Sequence, residues 1–306
     1  MMPDPCPSIE GKVAVFGIGG QVGSALTLAL GEKAIPLSRE AVDLSEPLKV
    51  SEMLFALKPA AVINAAAYTA VDKAEQEEAL ATAINADSPA IMADYCSTHN
   101  IPFLHYSTDY VFNGEGDRPW VESDTPAPLS AYGRSKLAGE RKLAEIGGKH
   151  LILRTSWVFD AFHTNFFNTM LRLGREREEI AVVGDQFGAP TYGPHLAGGS
   201  LAALERAVRM DQFPTGVYHM AAEGVTTWKD FAEAIFEGAL ESGILKSAPV
   251  VRAITSEEFG APAVRPKNSR LSMEKLKWVF GIALPDWRDG LTHALEIKRE
   301  AARHAH

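Results

Sequence analysis

Cysteine is scarce here, with only Cys6 and Cys96 in 306 residues. That excludes a disulfide framework and a thiolate metal site, and it leaves Cys96, in a helical segment, as an inert core thiol. Long apolar runs are missing as well: none approaches the roughly 18 residues that a membrane span needs. The opening Met-Met-Pro-Asp-Pro-Cys lacks the basic start and apolar core of a signal peptide. The expectation is therefore a cytoplasmic protein with no membrane partner. Positive charge is also in short supply. The 30 Lys and Arg face 39 Asp and Glu, a net charge of −9, which argues against nucleic acid as a partner because phosphate binding needs clustered cations. The 9 histidines, His163 among them, form no H-x-x-x-H set and read as structural or solvated. No metal ligand is named on this basis.

Apolar residues are plentiful, at 46%, and come in short bursts. After a lead-in at 1–10 read as flexible, 12–16 suits a buried parallel strand and 24–30 a helix packed on it. Strands follow at 34–37, 60–64, 102–107 and 150–154. Helices fall between them at 47–57, 71–84, 89–98 and 131–144. Strand and helix alternating at this rhythm predict an α/β fold, a Rossmann-type doubly wound parallel sheet. Beyond Trp157 the pattern loosens into helices at 165–173, 195–206, 228–238 and 291–303, separated by Gly- and Pro-bearing loops. The expected division is a dinucleotide-binding domain at 11–160 with a return near 193–222. A smaller, interleaved C-terminal substrate domain takes 161–192 and 223–290, and 304–306 is a flexible end.

The loop after the first strand carries Gly17, Gly20 and Gly23, with Gln21 and Val22 between the last two. This is G-x-x-G-x-x-G; the commoner G-x-G-x-x-G fails because residue 22 is Val. Glycines there let the chain turn sharply and approach a pyrophosphate, whose charge is favoured at the helix N-terminus. After the second strand come Ser38 and Arg39 instead of a plain acidic residue. Arg39 suits the 2′-phosphate of NADP, so NADPH is the expected cofactor, with NADH as the alternative if Arg39 is merely solvated. Asp43 and Leu44 are expected to flank the adenine. Ala65, Ala66 and Ala67 follow a buried strand and permit close contact with a cofactor ribose.

Thr108 ends a strand, and Tyr132 and Lys136 stand four residues apart on a helix, hence on one face about a turn apart. A free phenol, with a pKa near ~10, is a poor acid–base group at neutral pH. A nearby ammonium at Lys136 is expected to lower it, and Lys136 is also expected to bond the nicotinamide ribose. Hydroxyl, phenol and ammonium together are the set that a carbonyl reduction needs.

With these residues in place, the chain resembles the extended short-chain dehydrogenase/reductase family from about residue 12 to about 290. The resemblance is carried by Gly20-Gln-Val-Gly23, by the stretch from Asn64 to Glu75, and by His105-Tyr-Ser-Thr-Asp-Tyr-Val-Phe112. It continues through Tyr132-Gly-Arg-Ser-Lys136, Leu153-Arg-Thr-Ser-Trp157, Gly184-Asp-Gln-Phe-Gly188 and Arg265-Pro-Lys-Asn-Ser-Arg270. Within that family the blocks are most similar to those of enzymes that reduce the C4 ketone of dTDP-4-dehydro-L-rhamnose to dTDP-L-rhamnose. The resemblance implies that Tyr132 gives the proton, Thr108 polarises the carbonyl, and Asp109 and Trp157 contact a nucleotide-sugar substrate. Arg265 and Asn268, on a loop bearing two guanidiniums and an amide, suit its diphosphate. Some members are associated with magnesium, for which no ligands are assigned here. A homodimer is compatible with such a protein. Two rival readings remain: a reductase of another nucleotide-linked 4-keto-6-deoxy sugar, and a non-catalytic dinucleotide-binding regulator resembling the methionine adenosyltransferase beta subunit.

Overall fold

The computed structural model describes residues 8–304. Cys6, and most of the expected flexible ends, lie outside the described residues. In chain order the first half carries β1 (Val13–Phe16), α1 (Gln21–Leu30), β2 (Ala34–Leu37), α2 (Pro47–Leu57), β3 (Ala61–Asn64), α3 (Val71–Ala74), α4 (Glu78–Thr82), α5 (Ser88–Thr98), β4 (Phe103–Thr108), α6 (Ala131–Ile146) and β5 (His150–Thr155). The second half carries β6 (Val158–Phe159), α7 (Phe166–Glu176), β7 (Glu179–Val183), β8 (Phe187–Gly188), β9 (Thr191–Tyr192), α8 (Gly193–Arg209), β10 (Gly216–His219), β11 (Thr226–Thr227), α9 (Trp228–Glu241), β12 (Val250–Ile254), α10 (Ser256–Phe259), α11 (Glu274–Phe280) and α12 (Trp287–His304). No helix among the described residues is long and apolar enough to cross a membrane.

Six strands form one parallel sheet in the order β2-β1-β3-β4-β5-β10. The predicted alternation thus builds the predicted doubly wound architecture. Because side chains alternate along a strand, neighbouring residues feed different cores. Val13, Val15, Ala61, Ile63, Leu104, Tyr106, Leu151 and Leu153 pack with Leu26 of α1, Leu201 and Leu204 of α8, and Phe280 of α11. Ala14, Phe16, Val62, Phe103 and Ile152 pack instead with Leu54 of α2, Met92 of α5 and Leu143 of α6. Both faces are covered, which is why β1, β3, β4 and β5 are buried throughout.

On the α6 side, the positions that would continue the apolar face towards the carboxyl ends of the strands are Asn64, His105, Ser107 and Arg154, all buried. They meet Lys136 and Glu140 of α6. Arg154 donates to both oxygens of Glu140 at 2.8 and 2.6 Å, and Ser107 Oγ adds a third bond at 2.5 Å. A bidentate ion pair with both partners buried fixes where α6 lies on the sheet.

A second core gathers Phe159, Phe167 and Met170 with Phe231, Ile235 and Phe236 of α9 and Trp287, Leu291 and Leu295 of α12. β7 and β12 pair in parallel beside it. Leu276, Phe280, Ile282 and Leu284 belong to the sheet core, so part of the stretch assigned by sequence to the substrate domain packs against the sheet.

Two expectations are corrected by packing. Residues 8–10 are not a free lead-in: Ser8 Oγ donates to Glu205 at 2.6 Å, and Ile9 is buried in the sheet core. The single helix expected at 71–84 is broken into α3, α4 and a π turn at Ala83–Asp87. Asn85 in that turn is fully buried. Its amide oxygen accepts from Tyr68 N at 2.8 Å, and its Nδ2 donates to Tyr68 O at 3.1 Å and Ser135 Oγ at 3.0 Å. A continuous α-helix would not present that amide to the chain segment it pins.

Candidate active site

The chain passes from β1 to β2 on one side and then to β3 on the other, so the strand order reverses between β1 and β3. Ligands of open α/β sheets bind at such a switch point, outside the carboxyl ends of the strands. A cleft of about 760 Å³ opens there. Its floor is the turn after β1. Gly17 adopts φ +84°, and a Cβ on it would stand 2.5 Å from Ala66 N. A Cβ on Gly23 would stand 2.1 Å from Gly17 O. These two glycines let the loop close on itself, whereas a Cβ on Gly19 would meet only open space.

α1 begins at Gln21, three residues earlier than the sequence suggests, so Gly23 lies inside its first turn. Gly20 caps it without a side-chain hydrogen bond, and Gly19, Gly20, Gln21 and Val22 line the cleft. A helix N-terminus open on a cavity favours an anion. Ser38, Arg39, Asp43, Leu44, Ala65, Ala66 and Ala67 line the same cleft, as do Tyr132 and Lys136. Of the expected dinucleotide contacts only Gly23 does not, because its role is steric.

α6 supplies the opposite wall. Ser130 caps it, its side chain accepting from Gly133 N at 3.2 Å. Gly133 and Gly139 let α6 approach closely, since an added Cβ would stand 2.3 Å from Tyr110 O or Asn85 O. This sets Tyr132 against the end of β4. The phenol hydrogen-bonds Thr108; burial and the Asp109 charge push its pKa up, to about 12, while the Thr108 bond offsets part of the rise. The expected lowering by Lys136 is therefore not what this arrangement shows. Lys136 Nζ donates to Tyr106 O at 2.6 Å and lies 3.3 Å from His105 Nε2. It is buried, and desolvation lowers it to about 8 against the opposing pull of Glu140. Helical spacing brought Lys136 to the right turn, but the β4 carbonyl decides where its amine points.

Thr108 Oγ1 donates to Asp109 Oδ1 at 3.1 Å and accepts from Tyr110 N at 3.2 Å. Asp109 is buried, its pKa raised by desolvation to about 6 in spite of bonds with Ser269 and Thr108. Asp109 Oδ2 is buried and has no hydrogen-bond partner. Arg265 pairs with Asp72 at 2.9 Å, and its charge lies beside the Tyr110 phenol, which is 5.6 Å from Tyr132 ring to ring. Trp157 stacks on Trp228 at 3.7 Å and lies against Gly188. Asn268 departs from expectation. Buried, it donates to Arg118 O at 2.8 Å and accepts from Arg270 Nε at 2.8 Å and Arg270 N at 3.2 Å. Its amide holds the loop together, which leaves it no group for a ligand. None of the five expected substrate contacts, Thr108, Asp109, Trp157, Arg265 and Asn268, lines the dinucleotide cleft itself.

Residues that sequence patterning passed over also line the cleft, including Tyr106, Thr155, His163 and Thr164. Strand-end position was the one signal available for Tyr106 and Thr155. Among the described residues no group of three or more His, Cys, Asp or Glu is placed to hold a metal. The thiol of Cys96 is buried and pushed up by desolvation.

The fold is that of a short-chain dehydrogenase/reductase, an oxidoreductase, with a glycine loop at the switch point of a doubly wound parallel sheet. More narrowly, residues 11–300 match the model of the RmlD substrate binding domain family, and the chain belongs to that family. It is 44% identical over 290 residues to dTDP-4-dehydrorhamnose reductase of Escherichia coli K12, covering 93% of this chain and 97% of that protein. The enzyme of the same name from Burkholderia thailandensis is 44% identical over 288 residues, 90% of this chain and 95% of that one. Among solved structures, dTDP-4-dehydrorhamnose reductase of Bacillus anthracis in complex with NADP superposes with a TM-score of 0.86 at 35% identity, covering 94% of this chain and 99% of that chain.

Proposed function

We propose that this protein reduces the C4 ketone of dTDP-4-dehydro-L-rhamnose to dTDP-L-rhamnose, using NADPH. The observation that carries the reading is the cleft itself, in which the Thr108-bonded Tyr132 and Lys136 face a glycine loop and an open helix N-terminus. When bound, the dinucleotide supplies the hydride that goes to C4. The chain's own residues do the rest. Tyr132, held well above neutrality at about 12, enters as a protonated acid and gives its proton to the C4 oxygen, so that hydride and proton together make the alcohol. Thr108 steadies the phenol and polarises the carbonyl. Lys136, in reach of the cleft, bonds the nicotinamide ribose. Asp109, next to Thr108 and bonded to it, is read as the acceptor for a sugar hydroxyl. Arg265, beside the Tyr110 phenol that packs on Tyr132, and Trp157 are read as further sugar contacts. Holding the reactants in register is the fold's main contribution to rate.

The supporting relatives carry the name of this activity, and one of them was solved with NADP. The test is an absorbance assay of NADPH and NADH oxidation against a small panel of nucleotide-linked 4-keto-6-deoxy sugars, with the C4 configuration of the product read by NMR. Oxidation with the rhamnose precursor and a rhamno-configured product is expected. No oxidation with any sugar would sink the reading, and a talo-configured product would reassign the substrate face.

A further inference from the structure

A dinucleotide brings a diphosphate into this acidic protein, and the glycine loop contributes no cation to meet it. Of the residues lining the cleft, only Arg39, Lys136 and His163 can carry positive charge. Arg39 is exposed at the end of β2, beside Asp43 at 3.5 Å. The amine of Lys136 is bound to Tyr106 O. His163 is left, and the structure has fixed its orientation.

Asp160, which follows β6, is buried. Its Oδ1 accepts from Phe162 N at 3.0 Å and His163 N at 2.9 Å, and its Oδ2 accepts from His163 Nδ1 at 2.5 Å. With Nδ1 turned inward to the carboxylate, Nε2 is the ring nitrogen available to the cleft. The same turn is stapled to the glycine loop. Asn165 Nδ2 donates to Gln21 Oε1 at 2.8 Å and to Asp160 O at 2.9 Å, while Gln21 Nε2 donates to Val158 O at 3.1 Å. Gln21 is the first residue of α1, so His163 is held across from the helix N-terminus where an anion is favoured.

We propose that His163, oriented by Asp160, is the side chain that binds the diphosphate of the dinucleotide. The proposal rests on the dinucleotide reading above. An imidazole held by a carboxylate at one ring nitrogen presents the other to the phosphate, and when the phosphate and carboxylate together hold both protons on the ring it donates one N–H to each, the charge-assisted kind of bond that is strong. The backbone N–H groups of the loop take the other phosphate oxygens.

Calorimetric binding of NADPH, NADH and adenosine 2′-monophosphate to the full-length protein separates the possibilities. His163→Ala weakens NADPH and NADH alike, by about tenfold, the scale of one charge-assisted hydrogen bond. It leaves adenosine 2′-monophosphate, which has no diphosphate, unchanged. His163→Gln, which keeps a donor but not the charge, falls between. Arg39→Ala gives the opposite pattern, weakening NADPH and adenosine 2′-monophosphate but not NADH. The proposal is overturned if His163→Ala binds NADH as wild type does, or if it loses adenosine 2′-monophosphate as strongly as NADPH. Wild-type protein that binds neither dinucleotide would instead overturn the dinucleotide reading, and this proposal with it.

Discussion

On the floor of the cleft, at the first βα turn, the architecture depends on side chains that are missing. Gly17 and Gly23 leave the space in which the loop folds against Ala66 and against itself. On the opposite wall, where α6 lies on β3, β4 and β5, it depends on side chains that are present, polar and buried: Asn64, His105, Ser107, Arg154, Lys136 and Glu140. One surface is shaped by backbone and the other by a hydrogen-bonded interior. The first tolerates no added atom, and the second no removed charge.

That contrast can be broken from either side. The largest effect is expected at Tyr132. Tyr132→Phe removes the acid and should lower kcat by about 10²–10⁴-fold with the dinucleotide Kd unchanged, as read by single-turnover kinetics and titration. Wild-type turnover in this variant would move the chemistry off the α6 wall. Next is Glu140→Ala, which strands Arg154 in the interior. Breaking a buried pair costs about 3–5 kcal/mol, and denaturant titration should show that loss.

A smaller and pH-dependent effect is expected at Asp109. Its folded pKa of about 6 lies above the ordinary 3.8, so the folded state holds the proton more tightly than the unfolded chain does. Stability from this group is therefore complete below pH ~4 and lost as pH rises through 6. Asp109→Asn should gain on wild type over that window by roughly 3 kcal/mol, measured by unfolding at pH 4 and pH 7. A constant difference between the two would show that the carboxyl titrates normally. The smallest effect belongs to the glycine floor: Gly23→Ala, overpacked against Gly17 O, should cost about 1–3 kcal/mol. If stability and dinucleotide affinity both survive, the loop has more give than its contacts suggest.

The two surfaces were also unequally legible in the sequence. A backbone that must turn and be closely approached has to be spelled with Gly17, Gly20 and Ala65–67, so the floor could be read as it stands. Thr108, Tyr132 and Lys136 could be found by strand end and helical spacing, but their couplings could not. Spacing puts Lys136 under Tyr132 without saying that Tyr106 O captures the amine at 2.6 Å. Asn268 looked like a ligand group because an amide on a loop with arginines suits phosphate; only its partners in space show it spent on Arg118 and Arg270. The π turn at Asn85 was hidden for a related reason. The stretch from Val71 to Ile84 is helical in composition, and the partner that Asn85 meets just beyond it, Tyr68, is one that no local pattern reveals.

Trp157 carries one more consequence. It holds φ +49° just after β5 leaves the sheet, a left-handed conformation that costs a side-chain-bearing residue roughly 1–2 kcal/mol. Its ring is stacked on Trp228, beside the second core, and an aromatic pair returns about 0.5–1.5 kcal/mol beyond its buried area. Glycine at 157 would relieve the backbone and forfeit the stack. The residue that strains the backbone where the chain leaves the sheet is thus also the one that stacks beside the second core, so cost and compensation fall on one side chain.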